Sequence, residues 1–127
     1  MNGLSKAHIE RLDTLHRQDY LNACVKELTE IGFANPFPPK KSDYMRFVEH
    51  VYSVACRYGL DNEKHAFALM LVWHVKGDDF IKNPDAVELL GNTDITGHTK
   101  AQYLMKMALE TMKRYENSGE EKEHVDT

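Results

Sequence analysis

Apolar residues recur at intervals of three and four through most of this chain. Leu21, Cys24, Val25, Leu28 and Ile31 mark one face of a helix, and Ile9, Leu12 and Leu15 extend a weaker stripe toward the N-terminus. With Ser5 as cap and Gly32 as stop, the pattern predicts a first helix over about residues 5–31. The segment FANPFPPKK follows, and its three prolines exclude a helix interior. It contains a P-x-x-P-x-K pattern, but such short patterns recur by chance, and a stiff connector between helices is the better reading.

Ser42 is positioned to cap a second helix with apolar positions Tyr44, Phe47, Val48, Val51, Ala55 and Tyr58. Gly59 then ends it, with Leu60 placed for the apolar contact of a Schellman cap. Asp61 or Asn62 starts a third helix. Nine of the ten residues over 66–75 are apolar, so this helix has no polar face and belongs at the centre of the fold. Gly77 closes it. Asn83-Pro84 opens a short helix that buries Val87 and Leu89 or Leu90 and stops at Gly91. Thr96 or the residues just after it begin the last helix, whose face is Ala101, Leu104, Met105, Ala108, Met112 and Tyr115. No alternating run predicts a strand. The expected fold is all-α: an irregular bundle of four longer helices and one short helix around an apolar third helix.

Composition refines this picture. At 127 residues the chain is one domain's worth, with an ordinary 42% hydrophobic and 28% charged content. The net charge of −4 is carried by residues 116–127, where five acids face Lys122; residues 1–115 balance fifteen bases against fifteen acids. Residues 1–115 therefore read as a single helical domain and 116–127 as a disordered acidic tail. A neutral body offers no field for a phosphate backbone, so nucleic acid is not an expected partner. The N-terminus has no charged leader before an apolar run, and the longest apolar stretch, AFALMLVW, falls far short of a membrane span. Cytoplasmic location is expected, with Cys24 and Cys56 as buried free thiols.

Seven histidines prompt a search for metal ligands. His8 and His16 lie two turns apart, His65 and His74 point in opposite directions on their helix, and the adjacent Glu49 and His50 diverge. Neither cysteine has a partner at a zinc spacing. No metal and no cofactor are expected. His74 with Asp78 or Asp79 is the one acid/base grouping on offer, as an enzyme or small-ligand site. Two adjacent aspartates after a glycine more often solvate a turn, and a histidine in an apolar run more often bonds a carbonyl.

The order of these elements resembles a group of short, all-helical bacterial proteins encoded beside type VI secretion effector genes. The matching positions are Ala55, Tyr58, Gly59 and Leu60 at the first turn, Gly77 and Phe80 at the second, Pro84 and Leu89 in the short helix, and Lys100 at the basic opening of the last. Residues 5–112 are covered; the very apolar third helix and the acidic tail depart from the pattern. The resemblance implies a non-catalytic partner-binding protein: an immunity protein that neutralises a cognate toxin or, alternatively, an accessory factor for effector loading. Its partner would be a secreted protein, and acidic surface groups would suit a basic toxin face. Self-association stays open. Asp78 and Asp79 in the GDDF turn, Lys40 and Lys41 in the connector, and Glu120 and Glu121 in the tail are the candidate contact residues, as polar groups expected at the surface.

Overall fold

Three helix ends fall at glycines with positive φ: Gly32 at 63°, Gly59 at 80° and Gly77 at 88°. A computed structural model describes the backbone of residues 6–60 and 62–125 and the side chains of 16–60 and 62–115. Its elements are α1 (Lys6–Ile31), α2 (Tyr44–Arg57), α3 (Glu63–Lys76), α4 (Pro84–Gly91) and α5 (Gly97–Val125). Two 3₁₀ segments join them, Lys41–Asp43 before α2 and Asp78–Lys82 before α4. The fold is all-α, with no strand among the described residues.

The end of α2 shows how the sequence sets a boundary. The Leu60 N–H donates to the Ala55 carbonyl at 2.8 Å and the Gly59 N–H to Cys56 at 3.4 Å. That crossed pair is the Schellman motif. It needs a left-handed residue, which glycine adopts without a Cβ penalty, and it drops Leu60 into the core with no exposed surface. The next helix starts at once, because the Asn62 side chain accepts from the Lys64 N–H at 2.8 Å. Asn83 does the same for Asp85 at 2.8 Å, with Pro84 in the first helical position.

As its composition predicts, α3 lies at the centre. Of residues 66–75 only Phe67 is not buried. α5 packs along it, α2 and α1 also pack on it, and the Asp78–Lys82 segment folds back against its end. Fully burying side chains such as Leu69, Met70 and Val72 stabilises the fold by roughly 1.5–3 kcal/mol each.

Several boundaries and faces differ from expectation. Ser42 lies inside the 3₁₀ segment and does not cap α2; Asp43 occupies that position, with no side-chain cap bond. In α4, Ala86 and Leu90 are the buried pair and Val87 is 44% exposed. An eight-residue helix covers the core with one stripe, and i, i+4 spacing selects 86 and 90. Cys24 is buried but Cys56 is exposed, both as free thiols. The expected Ser5 cap and the side chains of Ile9, Leu12 and Leu15 lie outside the described residues. The α5 backbone is helical to Val125, past the domain end read at residue 115.

Candidate functional site

The connector is held on the C-terminal half of α3 by a reciprocal pair of bonds. The Phe37 N–H donates to the His74 carbonyl at 2.9 Å. In return the His74 imidazole meets the Phe37 carbonyl through Nδ1 at 3.0 Å. A carbonyl only accepts, so the proton sits on Nδ1 and Nε2 carries a lone pair. That Nε2 is buried without a hydrogen-bond partner. Burial pulls the imidazole below the ordinary histidine pKa, and the Phe37 bond opposes this only in part. His74 is 1% exposed, with Tyr44 packed edge-on at 5.6 Å.

Asp78 and Asp79 diverge although they are neighbours in sequence. Asp78 accepts the Trp73 indole N–H at 3.3 Å, and its other oxygen lies 3.9 Å from the Lys82 ammonium. Asp79 borders a different cavity of about 380 Å³, beside Lys76, Asn83 and Asp85. His74 lines neither this cavity nor the one at Asp78. The structure does not bring the histidine and the two aspartates together.

It does bring the connector and the GDDF turn together. Phe37, Phe47, Trp73 and Asp78 line one groove of about 220 Å³, with Asp43, Arg46 and His50 around it. Edge-on ring contacts build its apolar part: Phe37 to Phe47 at 5.8 Å, Phe47 to Trp73 at 6.1 Å, and His50 to Trp73 at 5.6 Å. Lys40 and Lys41, at the end of the same connector, are exposed. Among the described residues, Lys40, Lys41 and Arg46 form no ion pair. An aromatic floor rimmed by Arg46, Asp43 and Asp78 can receive an apolar anchor flanked by polar groups. Glu120 and Glu121 lie on the α5 backbone, and their side chains are outside the described residues.

A second, larger groove of about 450 Å³ runs over Tyr20, Cys24, Phe67 and Met105. Tyr20 donates to the Glu63 carbonyl at 2.6 Å, and His16 lies 2.7 Å from the Glu63 carboxylate, which ties α1 to the start of α3. Burial drives the Tyr20 hydroxyl far above its ordinary pKa and, more mildly, raises that of the Cys24 thiol.

The opposite corner holds two groupings that no within-helix spacing reveals. Lys100, 5% exposed, donates from Nζ to the Leu90 carbonyl at 2.7 Å and the Tyr58 carbonyl at 3.0 Å, at the C-terminal ends of α4 and α2. His65 and His98 face each other with ring centres 5.5 Å apart. Their signal lies in tertiary packing, which a search for helical spacing does not reach. Among the described residues, no group of three or more His, Cys, Asp or Glu side chains is placed to hold a metal ion. Among them, too, no helix is long and apolar enough to cross a membrane. No protein-family model, no characterised protein and no solved structure matches the chain.

Proposed function

We propose that this chain is a non-catalytic partner-binding protein, an immunity protein that neutralises a cognate type VI secretion toxin, and that the partner docks on the connector face. The observation that carries the reading is the groove between connector and GDDF turn, where Phe37, Phe47 and Trp73 adjoin Arg46, a cation with no ion pair among the described residues. Aromatic and arginine side chains of this kind dominate interface energetics, while the surrounding polar rim excludes water. The occupant proposed is a toxin segment that seats an apolar anchor on the rings, an acidic group at Arg46 and basic groups toward Asp43 and Asp78. Held at both main-chain and side-chain atoms by His74, the connector loses little freedom on binding. Of the candidate contact residues, Asp78 lines this groove, Lys40 and Lys41 follow it in the connector, and Asp79 borders a separate cavity.

The test is co-expression with the product of the neighbouring effector gene. A stable complex and protection from toxicity are expected, and both weaken in Lys40→Glu/Lys41→Glu/Arg46→Glu. No complex and no protection would refute immunity. An effector secreted only in the presence of this chain would favour the accessory role, which rests on the same surface and the same resemblance.

A further inference from the structure

We propose that His65 and His98 chelate a divalent ion of the zinc, nickel or copper class, bridging the first turns of α3 and α5. Their ring centres lie 5.5 Å apart with planes inclined at 56°. With metal–nitrogen bonds of about 2.0–2.1 Å and a tetrahedral angle, two imidazoles on one ion have ring centres about 5 Å apart. The pair is thus at chelating separation before any ion arrives. Neither ring has a hydrogen-bond partner among the described residues.

The backbone beneath the pair is fixed. Gly97 sits so close to the Gly59 carbonyl oxygen that a Cβ there would collide with it, and the same position lies beside His65 Nδ1. One turn on, Lys100 fastens α5 to the ends of α2 and α4. Two ligands on rigid, separately anchored helices lose little entropy on closing around an ion. Imidazole selects zinc, nickel or copper over the oxygen-preferring magnesium and calcium. Water completes the coordination. The positive ends of α3 and α5 oppose a cation here, so the ion exchanges and is not a permanent structural element.

The test is titration of the full chain with Zn²⁺ and Ni²⁺ by calorimetry. One ion per chain is expected, with Mg²⁺ giving no signal. Loss of an outer-sphere partner alone weakens metal sites about 10–100-fold, so His98→Gln and His65→Gln each weaken binding at least about tenfold. His98 is exposed, so its variant keeps the fold, verified by its circular dichroism. His16→Gln and His50→Gln leave binding unchanged. No saturable heat with either ion, or binding that survives in His98→Gln, would overturn the proposal.

Discussion

Replacing Lys100 by methionine keeps most of the aliphatic stem and removes the ammonium. Two opposing terms decide the outcome. Burying a charge is costly, and exchange of buried ionic groups for well-packed apolar ones is often neutral or stabilising. Against this, the Tyr58 and Leu90 carbonyls, bonded at 3.0 and 2.7 Å, would lose the donor that satisfies them. They sit at negative helix ends, where a cation gains further. Each hydrogen bond to a charged group is worth about 1.5–3 kcal/mol, and a carbonyl stranded out of water costs about 1–3 kcal/mol. With two such bonds and one desolvation to relieve, a net loss of about 2–4 kcal/mol is expected, a large part of the roughly 5–15 kcal/mol that holds a domain folded. Urea unfolding followed by far-UV circular dichroism measures it, with the slope unchanged and the midpoint lowered. The corresponding fall in Tm is about 10 °C, at roughly 4 °C per kcal/mol for a chain of this size. If Lys100→Met unfolds within about 0.5 kcal/mol of the parent, desolvation cancels the bonds and Lys100 is not a clamp.

Three other outcomes follow from the same geometry. His74 is neutral when folded because burial lowers its pKa, so the unfolded chain binds its proton more readily. Its contribution is complete above the unfolded value near 6.5 and is lost as pH falls toward the lowered folded value. The slope approaches about 1.4 kcal/mol per pH unit, and His74→Gln removes that part of the pH dependence of urea midpoints. Gly97→Ala destabilises by about 1–3 kcal/mol in the same assay despite alanine's higher helix propensity, because the obstacle is the Gly59 backbone. Gly91→Ala meets nothing within 4 Å and leaves the midpoint unchanged or raised. An aromatic disulfide reagent titrates one thiol quickly in the native protein, the exposed Cys56, and the second only on unfolding, since Cys24 is 2% exposed.

Local chemistry was legible in the sequence where it acts alone. The Tyr58-Gly59-Leu60 ending, the Asn83-Pro84 start and the unbroken apolar run of α3 each specify their structure within a few residues. Ser42 misled because a capping residue is identified by type, whereas the 3₁₀ segment Lys41–Asp43 shifts the start of α2 by one residue. Lys100 reads as solvated by type; it is buried because carbonyls 10 and 42 positions away converge on it. In the candidate site, the connector and the GDDF turn were both visible as polar surface segments. Their union was not, since it depends on a histidine gripping a phenylalanine 37 positions back. The same distance effect hid the His65–His98 pair.

The most direct test of the proposed immunity role is the affinity of the purified chain for the candidate toxin which that role requires, compared with Arg46→Glu and Lys106→Glu. Arg46 borders the connector groove, whereas Lys106 lies beside Leu109 and Gln102 on an exposed stretch of α5. Binding that falls at least about tenfold in Arg46→Glu and is unchanged in Lys106→Glu is the predicted result, about 1.4 kcal/mol lost at one face only. Equal affinity in all three proteins, or no binding by the parent chain, would contradict it.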